Sequence, residues 1–199
     1  MSRSASLAGA VPALRLPTGG TLALDLSSVV GWAYGRPGID PAPCFGTWPL
    51  DPDHVLPEGG RFAAFENELA SMMIRTEPTH MILEASFSLE AMYRNSNYRI
   101  MCQQITLRGI ALSEAYRGAC GHSEIDPGTV RAEVMGQRRY SRDTVKREVM
   151  RYCRERGWRV PDHNAGDACL LWEWYRMRIA GAPPVAGPLW RHAARGTLQ

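Results

Sequence analysis

The sequence predicts an α/β fold in which helices flank a mixed sheet of five short strands. Strand-like apolar runs form a hairpin near the beginning of the chain, and later runs alternate with segments of helical periodicity. The composition agrees with this, because 45% of the 199 residues are hydrophobic and 22% are charged. A chain of this size buries a core without needing disulfides or structural metals.

The predicted strands are short and differ in character. The first two are separated by Ser27 and Ser28 and are expected to pair as a hairpin. The fourth is a short apolar run of the kind found in the buried centre of a parallel sheet. The five predicted strands span residues 21–26, 30–34, 44–48, 80–85 and 123–127.

The predicted helices begin and end at recognisable residues. Pro78 ends the first, Ser141 and Asp162 are N-cap residues for the last two, and Gly157 is a C-cap glycine. The second helix has an apolar stripe broad enough for a second buried face, as at a dimer contact. The five predicted helices span residues 57–76, 95–119, 129–135, 141–156 and 163–179.

The chain ends lack periodicity, so we predict one domain over residues 21–180 with flexible segments at 1–20 and 181–199. Five cysteines without a CxxC pair indicate reduced, mostly buried thiols. No stretch reaches the roughly 18 apolar residues of a membrane span. We therefore expect no membrane partner and a cytoplasmic, nucleoid-associated protein.

The net charge of +3 hides an uneven distribution. Residues 1–130 carry nine basic and 13 acidic side chains, whereas residues 131–199 carry 14 basic and seven acidic. Ten of these basic residues lie within 131–159. Such a run is usually a solvated helix face, but it is also the charge that a phosphate backbone attracts.

Three carboxylates stand in apolar surroundings that solvation does not explain. Asp25 interrupts the first strand, Glu84 ends the fourth, and Asp167 lies near the start of the last helix. Each has an ordinary alternative, as a turn former, a paired strand end or a helix-dipole partner. Together they would repel one another unless a cation bound between them, and oxygen ligands favour Mg²⁺ or Mn²⁺ over zinc.

The order and spacing of these carboxylates resemble a known family. The motifs are Asp25-Leu-Ser-Ser-Val-Val-Gly-Trp-Ala, Ile82-Leu-Glu84 and Asp162-His-Asn-Ala-Gly-Asp167-Ala, joined by similar segments at 126–131, 134–136 and 142–146. In this order they resemble the RuvC-type Holliday junction resolvases of the ribonuclease H-like superfamily, in particular the phage and prophage branch. The resemblance covers residues 21–180 and implies a ribonuclease H-like fold.

The resemblance implies an endonuclease with two Mg²⁺ or Mn²⁺ ions in each active site. Asp25 would bridge the two ions, with Glu84 and Asp167 each holding one side. The family's fourth ligand, usually Asp or His, falls at Asn164, three residues before Asp167, which departs from the pattern. His163 shares the same helical face, so either residue could serve.

The resemblance also assigns residues to DNA. Phe87 would stack on bases at the junction, although a core phenylalanine is the alternative. Lys146 is the only lysine of the chain and matches a family lysine. Arg94 lies in a loop, residues 90–99, whose tyrosines and arginines suit contacts with splayed DNA. The predicted DNA-binding residues are Phe87, Arg94, Arg138, Arg139, Arg142 and Lys146.

The function expected from these features is a homodimeric crossover junction endodeoxyribonuclease. It would resolve four-way DNA junctions by paired cuts during recombination, repair or phage DNA processing. Two alternatives are a related nuclease acting on flaps or other branched DNA and a non-catalytic nucleic-acid-binding relative. Residues 25–31 also resemble the first phosphate loop of sugar kinases and actin-like ATPases. Those proteins need two such domains and about twice this chain length.

Overall fold

The computed structural model describes residues 16–85 and 98–178, except for the side chains of Arg142 and Asp143. Within this part of the chain, five strands form one sheet in the order β3-β2-β1-β4-β5. The first three strands are antiparallel, and β4 and β5 run parallel to β1. The predicted mixed five-stranded sheet is confirmed. The strands are Thr21–Asp25 (β1), Val29–Gly35 (β2), Cys44–Pro49 (β3), His80–Glu84 (β4) and Gly121–Ile125 (β5).

Helices cover both faces of the sheet. On one face, side chains of α1 and α2 pack on Leu22 and Leu24 of β1. On the other face, α3, α4 and α5 pack on Ala23 of β1 and Ile82 of β4. This division follows from the alternation of side chains along each strand. The described helices are Glu58–Thr76 (α1), Tyr98–Arg117 (α2), Pro127–Met135 (α3), Arg142–Glu155 (α4) and His163–Arg178 (α5).

The capping predictions for the last two helices are confirmed. The Ser141 hydroxyl accepts a hydrogen bond from the Thr144 N–H at 3.3 Å, at the start of α4. Asp162 Oδ1 accepts one from the Ala165 N–H at 3.0 Å, at the start of α5. Gly157 follows α4 with a positive φ of 77°, as expected of a glycine that ends a helix.

The structure differs from the sequence-based bounds around residue 126. Strand β5 occupies 121–125 rather than 123–127, and α3 begins at Pro127 rather than at 129. Asp126 explains both shifts, because its side chain accepts a hydrogen bond from the Thr129 N–H at 2.8 Å and caps α3. Pro127 then takes the first helical position, where its missing N–H costs nothing.

Residues 16–20 lie against the domain. The Gly19 N–H donates to the Thr76 carbonyl at 3.0 Å, and the Tyr34 hydroxyl donates to the Pro17 carbonyl at 2.6 Å. Residues 1–15 and 179–199 lie outside the described residues, so the division into a domain and flexible ends stays a prediction. Among the described helices, none has the length and apolar character required to cross a bilayer.

Helix α5 packs over the small residues of β2, which are Gly31, Ala33 and Gly35. A Cβ atom added at Gly31 would lie 2.0 Å from the Asn164 carbonyl oxygen, so the two backbones are in direct contact there. At the other end of β2, the Trp172 indole N–H donates to the Gly35 carbonyl at 3.2 Å. These two contacts fix the height and direction of α5 above the sheet.

We predict that Gly31→Ala destabilises the protein by about 3 kcal/mol or more, because backbone atoms have little freedom to relax around the added methyl group. The matched control is Gly59→Ala in α1, where nothing lies within 4 Å of the added Cβ. That control should be neutral or stabilising by about 0.5–1 kcal/mol. Urea unfolding measures both changes, and equal stability of the two variants would contradict the contact.

Candidate active site

Asp25 and Glu84 lie side by side at the edge of the sheet where the parallel strands have their carboxyl ends. Parallel strands β1 and β4 pair Leu24 with Leu83, so the next residues in register are these two carboxylates. Neighbouring strands are about 4.8 Å apart, and residues in register point to the same face. Asp25 and Glu84 therefore share the face that α5 covers, two residues beyond Ala23 and Ile82.

Asp167 reaches this edge from α5. Gly31, the β2 partner of Asp25, contacts the α5 backbone at Asn164. Asp167 lies three residues further along, which is about one helical turn. All three carboxylates are only partly exposed. The structure therefore brings the predicted trio to one location.

The three carboxylates are close enough to interact electrostatically. Burial, followed by the charges of Glu84 and Asp167, raises the pKa of Asp25 well above its usual value. Burial and then the charge of Asp167 raise the pKa of Glu84 to about 7. Burial likewise raises the pKa of Asp167 to about 6. Each member of the trio thus interacts electrostatically with the other two.

Two cationic side chains partly offset this repulsion. The positive charge of Arg131 on α3 lowers the pKa of both Glu84 and Asp167. Lys146 on α4 lowers that of Asp167 and of His163. Arg131, Glu84 and Asp167 also line one small cleft between α3 and α5. A negatively charged substrate would thus meet positive charge directly beside the carboxylates.

The residues proposed for the fourth ligand position begin α5. His163 is the first residue of the helix, and burial followed by the charge of Lys146 lowers its pKa. Asn164 places its backbone against Gly31. Asp162 is the N-cap, as predicted, and its charge also raises the pKa of Asp25 and Asp167. The negative charge at this edge is therefore larger than the trio alone.

The donor chemistry fits a divalent metal ion. Asp25, Glu84 and Asp167 offer only oxygen ligands, which suit Mg²⁺ or Mn²⁺, and their repulsion is relieved by positive charge. Across residues 16–85 and 98–178, no three His, Cys, Asp or Glu side chains converge closely enough to enclose a metal ion. The fit thus lies in donor type and in placement on one face.

Comparisons with known proteins identify the fold. No protein-family model matches the sequence, and no curated protein matches it. Among solved structures, Thermus thermophilus RuvC is similar with a TM-score of 0.57 and 16% sequence identity, covering 83% of this chain and 99% of RuvC. The chain has the RuvC fold.

Two further structures share the RuvC fold with this chain. One is T. thermophilus RuvC in complex with a Holliday junction substrate, with a TM-score of 0.57, 11% identity and the same two coverages, 83% and 99%. The other is the yeast mitochondrial Holliday junction resolvase Ydc2, with a TM-score of 0.52 and 12% identity, covering 92% of this chain and 85% of Ydc2.

The RuvC fold places some of the predicted DNA-binding residues near the carboxylates. Lys146 lies exposed on α4 beside Asp167, and Arg139 is exposed in the loop between α3 and α4. Arg138, in the same loop, forms an ion pair with Asp126 at 3.0 Å. Phe87, Arg94 and the side chain of Arg142 lie outside the described residues, so their roles stay predictions.

Two residues near the trio were not among the predicted site residues. Both belong to the motif segment 126–131, and Arg131 also begins the basic run, but neither has a predicted role in the site. The signal for Arg131 is its spacing, since it lies four residues after Pro127 at the start of α3 and faces Glu84. The signal for Asp126 is its position after β5, a parallel strand that pairs with β4.

The raised pKa values predict how stability depends on pH. Asp167 and Glu84 bind protons more tightly in the folded chain, so their contribution to the free energy of unfolding falls as the pH rises from about 4 to about 7. Asp167→Asn removes one charge and lowers the pKa of Glu84. The free energy of unfolding of the variant minus that of the wild type should therefore be larger at pH 8 than at pH 5.

Urea unfolding in EDTA at the two pH values measures this difference directly. Any pH-independent effect of the substitution cancels, because only the change between pH 5 and pH 8 is compared. An identical stability difference at both pH values would contradict the close approach of the carboxylates.

Proposed function

We propose that this protein is a Mg²⁺- or Mn²⁺-dependent endonuclease that cuts four-way DNA junctions. The observation that carries the proposal is the meeting of Asp25, Glu84 and Asp167 on one face of a RuvC fold. The similar structures support the substrate, because one holds a Holliday junction substrate and another is a Holliday junction resolvase.

In this proposal, the carboxylates hold the metal ions and the basic residues hold the substrate. Two bound Mg²⁺ ions would activate a water molecule and stabilise the leaving 3′ oxygen. Asp25 would be the ligand shared by the two ions, as the resemblance of its motif to the RuvC-type family implies. Arg131 and Lys146 attract the phosphate and reduce the repulsion between it and the carboxylates.

The finer assignments belong to the same proposal. The nuclease domain is residues 21–180, and His163 or Asn164 supplies a further metal ligand. The motif that begins at Asp25 supports a place in the phage and prophage branch. A role in recombination, repair or phage DNA processing implies a cytoplasmic, nucleoid-associated protein.

We predict paired nicks in a synthetic four-way junction with Mg²⁺, no cleavage with Ca²⁺, and no cleavage of a matched duplex. Asp25→Asn should lower the rate by at least about 10³-fold, because it removes a charged oxygen ligand from the proposed metal site. Asp53→Asn, an exposed aspartate between β3 and α1, is the matched control and should cut at the wild-type rate.

Each other outcome has a definite meaning. Equal cutting of flaps and junctions would replace junction resolution by a broader branched-DNA nuclease. DNA binding without cleavage by the wild-type protein would indicate a non-catalytic relative. Full activity of Asp25→Asn would show that the trio is not the active site.

We also propose a homodimer formed through α2, since two symmetric cuts require two active sites. Tyr98, Ile105 and Tyr116 are 75%, 48% and 89% exposed on this helix. They are spaced seven and 11 residues apart, which places them two and three turns apart on one face. A stripe of exposed apolar side chains on one helix face is typical of a protein contact.

We predict that Ile105→Glu converts the protein from a dimer to a monomer, because it buries a charge in the contact. Light scattering after size-exclusion chromatography gives the mass in solution. The control is Ile39→Glu, at a 69% exposed residue between β2 and β3, which should remain dimeric. A monomeric wild-type protein would contradict the proposed dimer.

A further inference from the structure

Asp126 lies at the same edge of the sheet as the carboxylate trio. It directly follows Ile125, the β5 partner of Glu84, and the Ala85 N–H donates to the Ile125 carbonyl at 2.8 Å. Asp126 is close enough to Glu84 that its charge raises the pKa of Glu84. The ends of three parallel strands therefore each carry a carboxylate.

Asp126 holds an arginine in place. Its Oδ2 atom accepts hydrogen bonds from the Thr129 N–H at 2.8 Å, the Thr129 hydroxyl at 3.0 Å and Arg138 Nη2 at 3.0 Å. Arg138 Nη1 also donates to the Thr129 hydroxyl at 3.4 Å. The guanidinium is thus tied at two points to the first turn of α3, although Arg138 lies 12 residues further along the chain.

Gly128 allows this arrangement. A Cβ atom at this position would lie 3.0 Å from Asp126 Oδ2 and 3.4 Å from Arg138 Cγ and Nε. Without a side chain there, the Arg138 stem passes directly over the helix terminus. The guanidinium therefore lies at the N-terminal end of α3, where the helix dipole also favours negative charge.

Arg138 keeps part of its binding capacity. Its side chain is 60% exposed, and a guanidinium has five N–H donors, of which two are used here. Arginine binds phosphate oxygens through two parallel hydrogen bonds, and an already oriented fork loses less entropy when it does so. An arginine that served only to attract DNA would need no carboxylate beside it, because that carboxylate repels DNA.

We propose that Asp126 is a positioning residue that orients Arg138 to clamp a backbone phosphate of the DNA strand beside the carboxylate trio. The clamp rests on the proposed nuclease function and adds to it the residue pair that places the strand. Asp126 reduces the net attraction for DNA, and in return it fixes where the strand lies.

The test is Asp126→Ser, which keeps an N-cap acceptor for α3 but removes the charge that orients Arg138. We expect junction affinity to be unchanged or tighter, because a negative charge beside the DNA is lost. The single-turnover rate at saturating DNA and Mg²⁺ should fall about tenfold, because the strand is less well placed. A purely structural role of Asp126 would not separate affinity from rate in this way.

Two further variants sharpen the test. Arg138→Gln should also lower the saturating rate, and combining it with Asp126→Ser should add little, because both changes remove one clamp. Arg138→Lys should not restore the rate, since lysine keeps the charge but lacks the planar fork. The matched control is Asp40→Ser, which breaks the Arg36–Asp40 pair at the opposite edge of the sheet and should leave the rate unchanged.

The clamp and the nuclease function fail in different ways. A wild-type protein that cuts no DNA overturns the nuclease function and the clamp together. A wild-type protein that cuts junctions, with Asp126→Ser cutting equally fast or faster, overturns the clamp alone. Multiplicative losses in the double variant also overturn it, because Asp126 and Arg138 would then act independently.

Discussion

The contact between α5 and β2 determines where the candidate active site forms. At Gly31 the strand has no side chain, and the backbone of α5 at Asn164 lies directly on it. Asp25 is the strand partner of Gly31, and Asp167 is one helical turn from Asn164. A larger residue at position 31 would move the helix and separate the carboxylates. The same packing contact therefore supports the core and assembles the site.

This assembly places negative charges together against their mutual repulsion. The raised pKa values of Glu84 and Asp167 express that cost, and Arg131 and Lys146 offset only part of it. Packing of the two apolar layers on the sheet holds the carboxylates in place. Active sites commonly hold such unfavourable arrangements because the ligand relieves them. Here the ligand would be divalent cations, whose positive charge would offset the repulsion between the three carboxylates.

Local sequence patterns predict most of the fold and the centre of the site. Strand alternation and the parallel type of β4 are enough to place Asp25 and Glu84 on one face, and N-cap chemistry identifies Asp162. The predicted bounds of β5 and the predicted start of α3 were wrong by two residues, because Asp126 fits either the last part of a strand or a helix cap. Only the tertiary structure decides between these two roles.

Ion pairs between different elements are the part of the structure that sequence patterns cannot supply, because composition counts charges without showing which are paired. The excess of basic residues after position 130 suggests a broad positive surface, yet several of its arginines are neutralised. Lys146, by contrast, lies exposed beside Asp167 and forms no ion pair within the described residues. The unpaired positive charge after position 130 is therefore smaller than the sequence total, and Lys146 is the part of it that lies beside Asp167. The pairs between elements are Arg138 with Asp126 and Arg178 with Glu133, and the pairs within one helix are Arg151 with Glu148 and Arg176 with Glu173.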